Sequence, residues 1–231
     1  MSSKYHIDPD KISLKNFQIS LESRELIPSR VALKEKVKAR FRTIQEAGLI
    51  SLGDLLDALK TKPKIEVFSK QTGLDIGYLT LLKREASSYL PKPVQLNKFS
   101  GIKGQVILKL QELGIKNSKQ LFDKASKIEG RTALSHESGV STDDLNELIH
   151  LSDLSRLYGV GPVFARMLYD IGIDSVKSFI SHSAEEIVKI YEDINKKKAD
   201  FTVKDIQFTL EMARELELNL RKDPLILSKT E

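Results

Sequence analysis

The stretch that decides the fold reads Leu157-Tyr-Gly-Val-Gly-Pro-Val-Phe-Ala-Arg-Met-Leu-Tyr-Asp-Ile-Gly-Ile173. It predicts a short hairpin, Gly159-Val160-Gly161, directly before an amphipathic helix. Glycine allows the positive φ and the close backbone approach that such a hairpin needs. Pro162 suits the first turn of a helix, where its missing N–H would be unpaired anyway, and Gly172 is a natural helix end. The stretch therefore predicts two helices joined by a glycine hairpin.

A related pattern of glycine and apolar residues occurs three times along the chain. Gly48, Gly114 and Gly172 each precede an apolar residue, at spacings of 66 and 58 residues. We expect each of these glycines to end one helix, and the next helices to begin near Ser51, Asn117 and Asp174. A large apolar residue follows each glycine by seven positions, where the first buried turns of that helix would fall: Leu55, Leu121 and Phe179. Because no segment alternates with period two, the sequence predicts an all-α protein made of three repeated units.

Two resemblances to known families rest on these patterns. The helices joined by Gly-apolar-Gly resemble the helix-hairpin-helix motif, most firmly over residues 153–180. In that family the hairpin and the following helix N-terminus present backbone N–H groups to a nucleic-acid phosphate. The order of elements over residues 26–218 also resembles an uncharacterised bacterial family, domain of unknown function 4332. The segments that carry this second resemblance are Leu26-Ile-Pro-Ser-Arg30, Tyr89-Leu-Pro-Lys-Pro93 and Asp153-Leu-Ser-Arg-Leu-Tyr-Gly-Val-Gly161.

Together the two resemblances imply tandem helix-hairpin-helix repeats in a three-unit helical array. The resemblance to domain of unknown function 4332 implies no activity. Pro91-Lys92-Pro93 should interrupt the helices between the first two units, since proline removes a donor and disfavours helix in the residue before it. We expect an N-terminal strap (1–26) and a first unit with a degenerate hairpin (27–92). A second helix-hairpin-helix unit (93–152), a third (153–220) and a tail (221–231) should follow.

The three hairpins differ in how well they match the motif. The third supplies Gly159, Val160 and Gly161 as predicted phosphate contacts, and Arg166 could reach a neighbouring phosphate. Valine in place of Gly161 should strain this hairpin by about 1–3 kcal/mol. The first unit carries Glu35-Lys36-Val37 at the hairpin, without glycine, and should be structural. The second unit supplies the predicted contacts Gly101, Ile102, Lys103 and Gly104.

In the second hairpin a lysine, Lys103, replaces the second glycine. A non-glycine residue held in left-handed geometry costs about 1–2 kcal/mol, so the hairpin could be reshaped. Lys103 could also contact a phosphate itself. For all the hairpins the alternative remains that they only pack helices on one another or on a partner protein.

Positive charge is concentrated in one short segment. Between Arg30 and Arg42 lie six basic residues against Glu35 alone, which equals the net charge of +5 of the whole chain. Lys34, Lys38 and Arg42 recur every four residues and would share one helix face. This face is either a phosphate-binding stripe or an ordinary solvated surface.

The sequence gives little support to an enzyme. The chain has no cysteine, and its four histidines show no metal-ligand spacing. A Gly-rich phosphate loop and a nucleophile elbow are also missing. We therefore expect a non-enzyme with no metal, no cofactor and no small-molecule substrate. No apolar run approaches the length of a bilayer span, and the N-terminus lacks a signal-peptide core, so we expect a cytoplasmic protein.

Two functions from different classes fit these observations. The first is non-enzymatic binding of DNA through its phosphate backbone, without sequence preference, by the helix-hairpin-helix units. The second is a helical adaptor whose repeat surfaces bind a partner protein. The near-neutral charge outside Arg30–Arg42 and the missing glycines of the first hairpin favour the second function.

Overall fold

The computed structural model describes residues 5–23, 26 and 28–221, except for the side chains of residues 215 and 217–221. These residues are helical, and they contain two isolated β-bridges but no strand. The all-α prediction is therefore confirmed. The described part of the chain divides into two compact bodies. The N-terminal body comprises residues 7–90, and the C-terminal body comprises residues 91–221 together with residues 5 and 6.

Each body consists of helices joined by short turns. Three short 3₁₀ helices cover Pro9–Lys11, Pro28–Lys34 and Leu96–Lys98. The α-helices of the N-terminal body are α1 (Leu14–Ser23), α2 (Val37–Glu46), α3 (Leu52–Ala58), α4 (Lys62–Thr72) and α5 (Ile76–Ser87). Those of the C-terminal body are α6 (Gly104–Glu112), α7 (Ser118–Ala125), α8 (Ile128–Ser138), α9 (Thr142–Leu154), α10 (Pro162–Asp170), α11 (Val176–Ile180), α12 (Ala184–Asn195) and α13 (Val203–Arg221).

The helices from α2 to α13 can be placed in three groups of four by their spacing along the chain. We call α2–α5 the first repeat, α6–α9 the second repeat and α10–α13 the third repeat. In the first two repeats, α4 and α8 begin 66 residues apart, at Lys62 and Ile128, and each is 11 residues long. In the last two, α6 and α10 begin 58 residues apart, at Gly104 and Pro162, and each is 9 residues long. Equivalent helices can therefore be compared residue by residue.

The predicted helix ends are confirmed in all three repeats. Gly48, Gly114 and Gly172 follow α2, α6 and α10 with φ of 92°, 78° and 86°, the left-handed geometry that favours glycine. The next helices start after the capping residues Ser51, Asn117 and Ser175, the last of them one position beyond the expected Asp174. The apolar residues seven positions after each glycine, Leu55, Leu121 and Phe179, are fully buried.

The N-terminal segment is built into the first repeat. Leu52 donates its backbone N–H to Ile12 (2.8 Å), and Leu14 donates to Ile50 (2.9 Å). In α1, Phe17 is buried with its ring 5.8 Å from that of Phe41. Residues of α1 thus complete the apolar core that α2 begins.

A partly buried histidine in the C-terminal body makes stability depend on pH. The Nε2 atom of His6 lies 2.7 Å from the carbonyl oxygen of Pro91, and burial lowers the pKa of His6 from its ordinary value of 6.5. Because folding favours the neutral ring, this contribution is fully present above the unfolded pKa and is lost as pH falls through the lowered folded value.

We therefore expect the free energy of unfolding to fall more steeply between about pH 7 and pH 5 in the natural chain than in His6→Gln. Urea unfolding of both proteins at the two pH values measures the difference. The same decrease in both would contradict a role for His6.

Candidate nucleic-acid interface

The third hairpin joins α9 to α10 and needs glycine at only one of its two glycine positions. Gly159 is exposed and has a φ of +74°, whereas Gly161 has a φ of −79° and is the N-cap of α10. Val160 between them is buried. The expected strain from valine at Gly161 is therefore wrong, because any residue adopts extended backbone and a Cβ there meets no atom within 4 Å. Gly159 is the residue whose replacement strains the turn.

The N-terminus of α10 presents backbone N–H groups that are free to bind. Ala165 donates to the carbonyl oxygen of Gly161 (2.9 Å), while Pro162 has no N–H. The N–H groups of Val163 and Phe164 have no acceptor among the described residues. The side chain of Val163 is exposed, and such a helix end favours an anion through its dipole.

The second hairpin has the same backbone geometry as the third. Gly101 has a φ of +81°, close to that of Gly159, and Lys103 takes the place of Gly161 as the N-cap of α6 with a φ of −61°. The expectation that Lys103 reshapes this hairpin is therefore wrong, since extended backbone accepts lysine without strain. Within the described residues, the N–H groups of Gly104 and Gln105 also have no acceptor.

The first hairpin departs from this geometry. Lys36, a non-glycine residue, has a φ of +48°, and α2 begins directly after it at Val37. The residue aligned with Gly159 is Glu35, so the left-handed position lies one residue later here than in the other two hairpins. The following helix starts one residue earlier than the alignment predicts. This hairpin lacks the glycine turn of the other two.

Lys103 and Arg166, which the sequence predicts to contact phosphate, form ion pairs with carboxylates of α9. The Nζ atom of Lys103 lies 3.0 Å from Oδ1 of Asp144, and the exposed Lys103 side chain is otherwise surrounded by solvent. Both terminal nitrogens of Arg166 donate to Oε1 of Glu147, at 2.6 and 2.7 Å. Arg166 is also 3.5 Å from Asp170 and is largely buried. The positive charge near the two hairpins is therefore locally balanced.

Arg166 packs the third repeat against the second hairpin. A Cβ built on Gly101 would lie 2.8 Å from Nη1 of Arg166, so the guanidinium covers the Gly101 backbone closely. Its plane also lies near the ring of Tyr169, with Cζ 4.9 Å from the ring centroid. These contacts give Arg166 a positioning role between two repeats, and its contact with phosphate remains a prediction.

The basic segment of the first repeat does not form the predicted stripe. Lys34 belongs to the 3₁₀ helix before α2, and its Nζ donates to the carbonyl oxygen of Glu22 (3.1 Å). Of the three residues assigned to the stripe, Lys38 and Arg42 alone lie on α2, where both are exposed. The prediction that Lys34, Lys38 and Arg42 share one helix face is wrong, because helical geometry starts only at Val37.

Asp153 and Arg156 form a largely buried ion pair that the sequence did not predict. Asp153 accepts from Nε and Nη2 of Arg156 through Oδ1, at 2.9 and 2.6 Å, and its Oδ2 accepts the N–H of Val176 (2.8 Å). The Arg156 guanidinium lies over the ring of Phe122, 4.4 Å from its centroid. The signal in the sequence was an acid and a base three residues apart inside an apolar segment. The pair joins the second and third repeats.

One protein family matches most of the C-terminal body. The model of a family described as Domain of unknown function (DUF4332) matches residues 100–216, which include both glycine hairpins. No curated protein matches the chain, and no solved structure matches it. Over the described residues, no helix has both the length and the apolar character needed to cross a membrane.

Proposed function

Because the chain belongs to the DUF4332 family, whose description names no activity, we propose a function from its own residues: non-enzymatic binding of the DNA phosphate backbone without sequence preference. The proposed contacts are the two glycine hairpins of the C-terminal body and the helix N-termini that follow them. Duplex and branched DNA both carry the backbone phosphates that such contacts need.

The observation that carries this proposal is the equivalence of the two hairpins. Gly101 and Gly159 share left-handed backbone geometry, and α6 and α10 follow them at the same distance. At each helix N-terminus the unpaired N–H groups point along the helix axis, where a phosphate oxygen is bound well. One body thus offers two places of the same geometry to a phosphate.

The ion pairs around the hairpins set the strength of this binding. The Lys103–Asp144 pair is exposed, and an exposed pair contributes only about 0–1 kcal/mol, so a phosphate can compete with Asp144 for Lys103 at little cost. Beside the two hairpins, Lys103 and Arg166 are both paired with carboxylates, so few counterions are released from DNA on binding there. We expect weak affinity and a shallow dependence on salt.

Valine at Gly161 tests the hairpin directly. We expect the natural chain to bind labelled random-sequence DNA at low salt with a dissociation constant on the order of tens of micromolar. Gly161→Val should weaken binding at least about fivefold, because the side chain covers the N–H groups at the start of α10, without changing the melting temperature. Fluorescence anisotropy measures the affinity.

The matched control is Ala133→Val, which adds a β-branched side chain at an exposed position of α8, away from the hairpins. It should leave DNA affinity unchanged. No binding by the natural chain at tens of micromolar protein would overturn the proposed function. Equal affinity of Gly161→Val and the natural chain would exclude the third hairpin as the contact.

A further inference from the structure

An apolar groove lies in the first repeat, between α4 and the turn that joins α2 to α3. Its volume is about 460 Å³, within the range of pockets that take a ligand or a few side chains. Val67 of α4 lines it and is 65% exposed, and Ile50, next to the lining residue Leu49, is 76% exposed. The lining residues are mostly apolar: Ala47, Leu49, Asp57, Ala58, Pro63, Lys64, Val67, Phe68 and Gln71.

The equivalent place in the second repeat is closed by close packing. Gly130 of α8 lies so near α7 that a Cβ on it would be 2.2 Å from the carbonyl oxygen of Lys124. An ion pair between Lys124 and Glu137 (2.7 Å) also joins the two helices there. In the first repeat the residue 66 positions before Gly130 is Lys64, whose side chain does not allow that approach. The first and second repeats thus differ in packing at this place.

Lysines cluster at the start of α4, beside the groove; Lys64 lines the groove itself, together with one carboxylate, Asp57. Lys62 and Lys64 occupy the first turn of α4, which has no acidic residue, and Lys60 precedes it. The equivalent helices α8 and α12 carry glutamate in the first turn instead. Cations near a helix N-terminus oppose the helix dipole, so this arrangement weakens α4 in the free protein.

These lysines are available to a ligand. Among the described residues, neither Lys60, Lys62 nor Lys64 forms an ion pair, and the Nζ of Lys64 has only the carbonyl oxygen of Asp57 as a partner, at 3.0 Å. A carboxylate placed at this end would gain from Lys64, from the neighbouring Lys60 and Lys62 and from the positive end of α4, against the single lining carboxylate of Asp57. The apolar groove beside it would take uncharged side chains.

We propose that this groove binds an acidic, amphipathic segment of a partner protein. The partner places two large apolar side chains in the groove and carboxylates at the Lys60–Lys64 end. We favour a protein over nucleic acid because exposed Val67 and half-buried Leu49 offer an apolar surface that phosphates would not cover. This inference goes beyond the DNA function, since the groove lies in the N-terminal body and the hairpins lie in the other.

The probes are two sets of labelled amphipathic peptides of about 15 residues, long enough to form a helix in a groove. Both sets carry two leucines at helical spacing, flanked in one set by glutamate and in the other by glutamine. With the full chain, we expect micromolar binding of some glutamate peptides by fluorescence anisotropy. Their glutamine counterparts should bind at least about tenfold more weakly, and added salt should reduce that difference.

Variants locate the binding on the protein. Val67→Glu should weaken peptide binding about tenfold or more, while Val31→Glu, at another exposed valine of the same body outside the groove (52% against 65% exposed), should have no effect. The double variant K62A/K64A should reduce the preference for glutamate over glutamine, since only Lys60 and the positive end of α4 remain. Melting temperatures close to that of the natural chain show that the variants are folded.

Three results would overturn the proposal: no binding of any peptide, equal binding of the glutamate and glutamine sets, or unchanged binding by Val67→Glu. The DNA titration of the same protein is independent of these outcomes. Loss of peptide binding in Val67→Glu with unchanged DNA affinity supports the assignment of the two functions to separate bodies.

Discussion

Alanine at Asp153 is expected to lower the free energy of unfolding of the C-terminal body by about 3–5 kcal/mol, the usual effect of removing one partner of a buried ion pair. Arg156 is only 6–7% exposed and would remain in the interior without the Asp153 carboxylate. The N–H of Val176 would also lose its acceptor at the start of α11. Urea unfolding followed by circular dichroism measures the change.

An exposed ion pair of the same body supplies the control. Glu137→Ala removes the partner of Lys124, where both side chains are at least 40% exposed, and should change the free energy by less than about 1 kcal/mol. Asp153→Asn keeps an oxygen for Val176 but loses the charge, so its effect should fall between the two. If Asp153→Ala were no more destabilising than Glu137→Ala, the buried pair would not hold the second and third repeats together.

The repeated helix ends could be predicted because their causes are local. A glycine with positive φ ends a helix through its own backbone, and a capping residue starts the next one with its own side chain. Gly114 and Asn117 illustrate this, since neither depends on a distant partner. Burial of Leu121 followed from spacing alone, because only one face of a short helix meets the core.

The candidate site was less predictable because its charges are balanced across repeats. Nothing near Arg166 in the sequence shows that Glu147, on another helix, holds it, and Lys103 and Asp144 are 41 residues apart. The Lys34–Arg42 stripe failed for a different reason. Periodicity counts residues as if they were helical, and it does not detect the 3₁₀ geometry that ends at Lys34.

The groove depends on the distance between two helices, which single-residue patterns do not contain. Gly130 and Lys64 occupy equivalent positions, yet the glycine alone permits α8 to touch the carbonyl oxygen of Lys124. Alignment of the two repeats reveals the substitution, but only the structure shows its consequence for packing.

Alanine at Gly130 is expected to lower the free energy of unfolding by about 1–3 kcal/mol, the usual cost of overpacking. The new Cβ would lie 2.2 Å from the Lys124 carbonyl oxygen, and this oxygen is backbone, so α8 must move away from α7. The gain in helix propensity from glycine to alanine, about 1 kcal/mol, is smaller than this cost.

Gly104→Ala is the matched control, because its Cβ meets no atom within 4 Å at the start of α6, and it should be neutral or stabilising. Thermal and urea unfolding compare the two variants. Equal stability of Gly130→Ala and Gly104→Ala would show that close contact with Lys124 does not close the second repeat.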